Sequence, residues 1–444
     1  MPSGSAQLPL QTRGIFHNLP TFPSDLKDLT AIVTGANGIS GFHTMRVLLE
    51  NPQRWKKVWA ASRRPPPEEM MALLSDEQRA RVEHVALDFL SKPEDIASKL
   101  QEKGVRGDYV FFYSYAQPRP KPGQGAWSNA QELADTNTAL LKNFLGALDQ
   151  ASIKPKRFLL QTGAKNYGTH LGPARTPYVE SDPRVTLEPN FYYPQSDALL
   201  SYCDEHSVEW NIICPAWIIG AVNNAAMNAH HPLAVVRSHS SSKPSPETFA
   251  DGITRFCYAW MGVTEHSTAM LTGYLSEWAV LEEKCANHKF NASDTCPLPN
   301  NRLWPELARW YGCNGYGGPE LDESKLNVID PGDVPTPLGY GPPRKLRYAW
   351  TLTQWAQDPT NAKAWKEIME KTRVSHNPFD DIEAHFTFGD FAAWGPTFAL
   401  SMNKARYFGW TGHVDTLESL HLAYTELSKV GMLPPPVADA RPLI

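Results

Sequence analysis

Three glycines near the N-terminus have a spacing that could hold a phosphate group. Gly35, Gly38 and Gly41 fall within LTAIVTGANGISG, directly after the apolar run 29–33, and residues 42–49 suit an amphipathic helix. The run predicts a buried parallel strand. Glycines let the backbone turn sharply and bring its N–H groups close to a pyrophosphate at the helix N-terminus. We therefore predict a dinucleotide site, with packing of strand on helix as the alternative. The residues expected to bind at this turn are Thr34, Gly35, Asn37, Gly38 and Ile39.

The end of the second predicted strand indicates which dinucleotide is bound. Ser62, Arg63 and Arg64 stand where an NAD-preferring domain carries an Asp or Glu for the adenosine ribose. Guanidinium groups instead suit a 2′-phosphate. The sequence therefore predicts NADPH as the cofactor. The alternative is that both arginines are solvated loop charges before three prolines.

Two further strand ends supply candidate cofactor contacts, because ligands of such sheets lie at the carboxyl ends of the strands. Asp88 and Phe89 follow the third strand and are expected beside the adenine. Tyr115 and Ala116 follow the fourth and are expected near the linking phosphates and the ribose. Ordinary packing at a strand end is the alternative for each pair.

An amine and a phenol later in the chain could take part in proton chemistry. Short-chain reductases usually place a Tyr and a Lys four residues apart on one helix, so that the ammonium lowers the pKa of the phenol. This chain lacks that spacing. It carries Lys165 in QTGAKNYG, after the fifth predicted strand, and Tyr192 in NFYY, at the start of a helical segment. Taken singly, such a Lys is more often a solvated loop charge, and such a Tyr more often packs in the core.

The elements that would position these residues alternate as in a βαβ array. Nearly continuous apolar runs at 57–62, 82–89, 109–115, 157–162 and 210–219 are typical of strands covered on both faces. Residues 137–151 place five apolar side chains on one helical stripe. We predict an α/β fold with a Rossmann-type, doubly wound parallel sheet and a mainly helical C-terminal substrate lobe.

We divide the chain into an N-terminal arm at 1–28, an NADP-binding Rossmann domain at 29–225 and a substrate-binding lobe at 226–444, which returns a strand to the sheet near 288–293. The stretch 230–245 is polar and rich in Ser and Pro, so His230 and His231 are expected in a loop as exposed or capping residues, not as metal ligands. Residues 320–344 predict a long loop or hairpin. Leu417, Leu420 and Tyr424 predict a helix with a capping box at Asp415.

Composition excludes several classes of protein. The 444 residues are 42% hydrophobic, and 42 basic against 47 acidic residues give a net charge of -5, without the basic excess of a nucleic-acid binder. Six cysteines form no CxxC pair and no zinc spacing, so we expect reduced thiols and no metal. No leader and no membrane-spanning stretch is evident, which predicts a cytoplasmic protein without membrane contact.

Taken together, the motifs resemble one family. TGANGISG, SRRPPP, TGAKNYGTHLGP, NFYY, PAWIIG, FNASD, LWPELARWYG and SMNKARYFGWTG run from residue 34 to about residue 412. This set is similar to the progesterone 5-beta-reductase/iridoid synthase-like family of short-chain reductases, abbreviated PRISE. The resemblance implies that Lys165 and Tyr192 form the catalytic pair of an NADPH-dependent 1,4-reduction of enones. It also implies cofactor contacts from Thr162, Gly163, Lys165, Tyr192, Pro215, Ile218 and Ile219.

The chain departs from the plant members of that family in two places. Asn166 replaces a His of TGxKHYxGP, and three more residues precede Gly172 and Pro173, so the loop flanking the substrate is longer. After NFYY, a Leu-Glu-Asp run is replaced by residues 194–197, where Pro194 is tolerated only in the first turn of a helix. These differences affect the expected substrate more than the expected reaction.

Our leading hypothesis is an ene-reductase that acts on an enone or enal of a hydrophobic small molecule, for example in secondary metabolism. A carbonyl reductase or a cyclase/isomerase would use the same oxyanion site and stays open as an alternative. A non-catalytic NADP-binding regulator is less consistent with retention of both Lys165 and Tyr192. A homodimer is compatible with the sequence.

Overall fold

The computed structural model describes residues 9–118, 128–223, 227–240, 260–313, 315–316, 320, 322–343, 345–394 and 398–444. Its strands are β1 (Leu10–Arg13), β2 (Phe16–Pro20), β3 (Leu29–Thr34), β4 (Trp55–Ser62), β5 (Val82–Ala86), β6 (Tyr109–Phe112), β7 (Arg157–Gln161), β8 (Glu209–Cys214), β9 (Ile218–Ile219), β10 (Val263–Thr264), β11 (Ser267–Thr268), β12 (His288–Asn291), β13 (Leu298–Pro299), β14 (Asn327–Ile329) and β15 (Leu346–Tyr348).

The α-helices of the described residues, numbered along the chain, are α1 (Ile39–Leu49), α2 (Glu68–Met71), α3 (Asp76–Arg79), α4 (Pro93–Glu102), α5 (Ala130–Gln150), α6 (Tyr192–His206), α7 (His231–Ser240), α8 (Ala269–Leu281), α9 (Asn300–Trp310), α10 (Leu352–Gln357), α11 (Pro359–Lys371), α12 (Ile382–Trp394), α13 (Asn403–Tyr407) and α14 (Thr416–Lys429). Short 3-10 helices lie at Ala164–Tyr167, Glu283–Cys285, Glu323–Lys325 and Pro378–Asp380.

A parallel sheet of seven strands, in the order β12-β8-β7-β6-β3-β4-β5, forms the centre of the molecule. Successive side chains of a strand point to opposite faces. In β3, Ala31 and Val33 therefore lie in one hydrophobic core with α1 and α8, whereas Ile32 lies in the core on the other face with α4, α5 and α6. The prediction of a doubly wound Rossmann-type sheet is confirmed.

Three predicted strands are shorter than their apolar runs by more than one residue. β5 ends at Ala86 rather than residue 89, β6 ends at Phe112 rather than residue 115, and the run 210–219 is divided between β8 and β9. Leu87 and Phe89 are buried next to the sheet, whereas Tyr115 is 39% exposed, and apolarity alone does not show where a strand ends.

The C-terminal half contributes directly to the sheet and its layers. β12 pairs in parallel with β8 at one edge, and α8 packs against α1. The larger core includes residues from both sides of residue 225, from Phe16 to Leu433. The carboxylate of Asp415 accepts hydrogen bonds from the N–H groups of Leu417 and Glu418 and so caps α14.

The expectation of a polar loop around His230 and His231 is wrong. His231 begins α7, and the two residues are only 5% and 3% exposed. The carbonyl of His230 accepts a hydrogen bond from Tyr424 of α14, and the His231 ring lies 3.3 Å from the Met432 carbonyl. Partners about 200 residues away therefore bury a segment of polar composition. Residues 241–245 of the predicted loop lie outside the described residues.

The segment 320–344, predicted as a long loop or hairpin, forms part of a hairpin in the structure. β14 and β15 pair antiparallel, and the second strand, Leu346–Tyr348, lies just beyond the predicted segment. Five cysteines of the described residues are free thiols, and Cys257 lies outside those residues. In the described part of the chain, no helix is long and apolar enough to cross a bilayer. No metal-binding group of three or more His, Cys, Asp or Glu side chains occurs there.

Candidate active site

The glycine turn leaves the first N–H groups of α1 without a side-chain cap, and the backbone of the turn is tightly packed. The N–H of Gly38 donates to the Gly35 carbonyl at 2.8 Å, and α1 has no side-chain cap. Gly35 has φ +62°, and a Cβ there would lie 2.9 Å from the Tyr113 backbone. A Cβ on Gly41 would lie 2.3 Å from the Gly35 oxygen. Only glycine fits these two positions, and the uncapped N–H groups suit a pyrophosphate.

Neighbouring strands hold this turn in place. The buried Thr34 hydroxyl accepts hydrogen bonds from the N–H groups of Tyr113 and Ser114, at 3.0 and 3.2 Å. These bonds join the end of β3 to the end of β6. Ile39 begins α1, and its side chain lies against Gly220, where an added Cβ would stand 2.6 Å from it. The segment after β9 therefore approaches the cofactor helix closely.

The end of β4 presents two exposed guanidinium groups beside the glycine turn. The Ser62 hydroxyl donates to the Arg64 carbonyl at 2.7 Å, and the Asn37 amide donates to the same carbonyl at 2.9 Å. These bonds fix the backbone, while the side chains of Arg63 and Arg64 reach solvent. Among the described residues neither arginine has an ion-pair partner. Both are thus available to an anionic ligand.

The two residues expected beside the adenine differ in environment. Asp88 is exposed, and its carboxylate accepts the N–H of Leu90 at 3.0 Å. Phe89 is buried, with its ring centroid 5.0 Å from that of Phe144 and 6.0 Å from that of Phe112. The Phe89 ring is thus a core side chain, as in the packing alternative, and of the two residues Asp88 presents its side chain to solvent.

The loop after β6 depends on a residue that sequence reasoning missed. The side chain of Asn137, in α5 and wholly buried, accepts from the Ala116 N–H at 2.9 Å and donates to the Ala116 carbonyl at 2.8 Å. Gln195 of α6 donates to the backbone carbonyl of Asn137 at 2.7 Å. Tyr115 is 39% exposed and lies 5.8 Å from the Phe191 ring. Asn137 therefore links the Ala116 loop, α5 and α6. An Asn inside an apolar helical stripe was the available signal.

The ends of β7 and β8 bring several predicted residues together. The Thr162 hydroxyl lies 3.0 Å from the Cys214 sulfur, and the Ala164 N–H donates to the Pro215 carbonyl at 3.0 Å. Lys165 follows within the 3-10 helix Ala164–Tyr167, and its carbonyl accepts from the Asn190 side chain at 3.0 Å. The last bond ties the Lys165 loop to the segment that starts α6.

The two adjacent tyrosines of α6 have different environments. The Tyr193 hydroxyl donates to the Asn166 carbonyl at 2.8 Å and accepts from the Val185 N–H at 2.7 Å, which fixes that ring in a structural role. The Tyr192 hydroxyl instead lies beside Gly163, where a Cβ would stand 2.8 Å from it. Burial raises the pKa of the Tyr192 phenol well above its ordinary value. The phenol therefore stays protonated at neutral pH and can donate a hydrogen bond.

The Lys165 ammonium lies 3.6 Å from a Glu188 carboxylate oxygen. Its side chain is 14% exposed, and burial lowers the pKa of Lys165, although the Glu188 charge opposes this effect. Glu188 is a second residue that sequence reasoning missed, because it lies in a segment without periodic pattern. Lys165 thus places a partly desolvated positive charge in the loop that Tyr192 approaches.

Aromatic side chains gather beyond the end of β8. Trp217 has φ +44°, and its ring lies 5.7 Å from that of Phe388 and 5.8 Å from that of Phe391, both in α12. Ile218 and Ile219 follow as β9 and pair with β11. Trp304 and Trp310 of the aromatic segment 304–311 are buried in the main core.

A family model described as a PRISE-like Rossmann-fold domain matches residues 31–330. The chain belongs to the PRISE family. It is an oxidoreductase of this family with the Rossmann fold that binds NAD(P).

Fungal and plant enzymes are among the proteins that are similar to this PRISE chain. It is 29% identical to the short chain dehydrogenase gsfE of Penicillium aethiopicum over 91% of this chain and 99% of that protein. It is 23% identical to an (S)-8-oxocitronellyl enol synthase of Catharanthus roseus over 88% of each chain. The crystal structure of the Bordetella bronchiseptica enzyme WbmG in complex with NAD matches with a TM-score of 0.54 and 15% identity, covering 91% of this chain and 96% of that chain. The last comparison shows the fold alone.

Proposed function

We propose that this PRISE protein is an NADPH-dependent reductase of activated C=C bonds, which carries out the 1,4-reduction of an enone or enal in a hydrophobic small molecule. The observation that carries the proposal is the approach of the Tyr192 hydroxyl to Gly163, at the end of β7 and next to the loop that holds Lys165. A dinucleotide in such a sheet lies at the carboxyl ends of the strands.

The preference for NADPH is supported by the end of β4. Arg63 and Arg64 are exposed, lack an ion-pair partner among the described residues and are adjacent to the glycine turn through Asn37. A guanidinium matches a phosphate dianion by charge and by paired hydrogen bonds. Thr34, Gly35, Gly38 and Ile39 would hold the pyrophosphate. When bound, NADPH supplies the hydride that reduces the conjugated bond.

Tyr192 would stabilise the charge that develops on the substrate. Reduction at the β-carbon of an enone places negative charge on the carbonyl oxygen, which becomes an enolate. A protonated Tyr192 phenol can donate a hydrogen bond to that oxygen, and the Lys165 ammonium adds positive potential. Because burial raises the phenol pKa, Tyr192 is better suited to hydrogen-bond donation than to ionisation.

The relatives and the aromatic surroundings support this substrate class. One relative is named for the formation of an enol, the protonated form of the enolate that Tyr192 would stabilise. The rings of Trp217, Phe388 and Phe391 offer apolar surface close to β9, whose residues Ile218 and Ile219 are proposed to contact the nicotinamide carboxamide.

The proposal is tested with the full chain, NADPH and a panel of enones and enals such as 2-cyclohexen-1-one. We expect oxidation of NADPH together with a saturated carbonyl product. An allylic alcohol as the product would favour carbonyl reduction instead. Tight NADPH binding without turnover on any member of the panel would contradict the proposal and favour a cyclase or a regulator.

A further inference from the structure

The carboxylate of Glu188 connects Lys165 to a histidine in the lengthened loop. One oxygen of Glu188 lies 3.6 Å from the Lys165 ammonium and 2.5 Å from Nε2 of His170. His170 belongs to residues 168–171, the four that separate Tyr167 from Gly172, where plant members of the family have one. The extra residues thus place an imidazole on the carboxylate that faces Lys165.

The hydrogen bond from His170 has a defined direction. Burial and the nearby Lys165 charge lower the pKa of His170 to about 4, so the ring is neutral at neutral pH. A carboxylate can only accept a hydrogen bond, so Nε2 must carry the proton and donate the hydrogen bond. Nδ1 is then an acceptor, and it is buried without a hydrogen-bond partner among the described residues. An unpaired buried acceptor costs free energy, which indicates that the Nε2 contact compensates for it.

The backbone around the three side chains is held on both sides. Gly168 has φ +78° and ends the 3-10 helix that carries Lys165. The Leu171 N–H donates to the Gly168 carbonyl at 2.9 Å, which turns the chain towards His170. On the other side, Val185 lies three residues before Glu188. It packs against Gly168 and donates its N–H to the Tyr193 hydroxyl. The contact is thus part of an ordered loop pair.

The ion pair is also partly shielded from water. The side chains of Lys165, Glu188 and His170 are 14%, 32% and 10% exposed. Attraction between charges is stronger in such an environment than on an open surface, and the penalty for an unpaired ammonium is larger.

We propose that Glu188 is a positioning residue that keeps the Lys165 side chain charged and directed within its loop, and that His170 holds the Glu188 carboxylate in place for this task. The inference rests on the proposed function for the catalytic meaning of Lys165. The contact itself can be tested without turnover.

The first experiment measures the ionisation of Lys165 directly. The protein is reductively methylated with a ¹³C label, and the Lys165 signal, assigned by its absence from Lys165→Met, is titrated by NMR. Glu188→Gln should lower the pH at which Lys165 deprotonates by about one unit, because an opposing charge is lost. Asp197→Asn is the matched control: it also removes one carboxylate, from an exposed pair with Arg184, and should leave the Lys165 titration unchanged.

The second experiment measures kcat against pH for NADPH-dependent reduction. Glu188→Gln should move the alkaline limb to lower pH by a similar amount, and Glu188→Asp should restore part of the shift. His170→Phe should act in the same direction, and His170→Gln, which keeps a donor, should act less. An unchanged Lys165 titration in Glu188→Gln overturns the inference, whatever the activity. Absence of turnover in the unsubstituted protein contradicts only the proposed function.

Discussion

The Tyr192 hydroxyl lies so close to Gly163 that an added methyl group there would stand 2.8 Å from it. The backbone of Gly163 is extended, with φ 179°, which any residue adopts. Gly163→Ala should therefore leave the backbone intact and displace the phenol. We expect kcat to fall by about 10- to 100-fold, since a misplaced catalytic group loses alignment with the substrate.

A second glycine gives the control for this substitution. Gly146 lies inside α5, and a Cβ there meets only Pro93 at 3.4 Å. Gly146→Ala should raise the melting temperature slightly through its better helix propensity, with kcat unchanged. Full activity in Gly163→Ala would show that the phenol position has no importance for turnover.

The neighbouring tyrosines allow catalysis and stability to be separated. Tyr192→Phe should lower kcat by about 100-fold, as expected for loss of an oxyanion donor, with an unchanged melting temperature. Tyr193→Phe should instead lower the free energy of unfolding by about 1–3 kcal/mol, because it removes two backbone hydrogen bonds. Steady-state kinetics and thermal unfolding of both variants check this. The reverse assignment of effects would place Tyr193 in the reaction.

The arginines after β4 should determine cofactor preference. We expect the double substitution Arg63→Ala, Arg64→Ala to raise KM for NADPH by about 10- to 100-fold, because charge-assisted bonds to the 2′-phosphate are lost. KM for NADH should change little. Arg79→Ala, which removes an exposed arginine paired with Glu68, is the control. Equal weakening for NADH and NADPH would exclude recognition of the 2′-phosphate.

A cluster of histidines should make the fold sensitive to acid. The rings of His231, His376 and His385 lie 4.6 to 6.4 Å apart. Burial lowers the pKa of His231 to about 3 and of His376 to about 4, and it also lowers the pKa of His385, although Asp381 and Asp380 oppose it there. Below about pH 6.5 the unfolded chain therefore binds more protons at these histidines than the folded chain does. Their contribution to stability is fully present above about pH 6.5 and falls as the pH approaches about 4.

His376→Gln tests this dependence. The protonation of one such ring costs about 1–2 kcal/mol by about pH 5. The substitution should therefore reduce the loss of melting temperature between about pH 7.5 and pH 5, which thermal unfolding at both values measures. An equal loss in the substituted and unsubstituted proteins would show that His376 does not contribute.

Periodicity in the sequence predicted the sheet but not its limits. β3 and β7 coincide closely with apolar runs because both faces of these strands are covered by helices. Leu87 and Phe89 are apolar and buried like strand residues, yet β5 ends at Ala86. His230 and His231 are polar by composition but buried by α14 and the segment after it, and such long-range contacts leave no local pattern.

The residues of the candidate site were likewise predictable only in part from the sequence. Motifs identified Lys165, Tyr192 and the glycine turn, because their chemistry depends on residue type. Asn137 and Glu188 escaped notice, since their roles arise from contacts to Ala116, 21 residues earlier, and to Lys165 across an irregular loop. The catalytic and cofactor roles of all these residues stay predictions until the variants are measured.

The ion pair between Arg46 and Glu426 limits how the protein can be dissected. Two hydrogen bonds of 2.7 and 2.6 Å join α1 to α14. Burial alone would raise the pKa of Glu426, but His43 and Arg46 outweigh it and lower that pKa to about 2. Truncation before residue 416 would leave Arg46, in the helix that begins at the glycine turn, without its buried carboxylate partner. Residues 29–225 therefore should not survive excision as a stand-alone nucleotide-binding fragment.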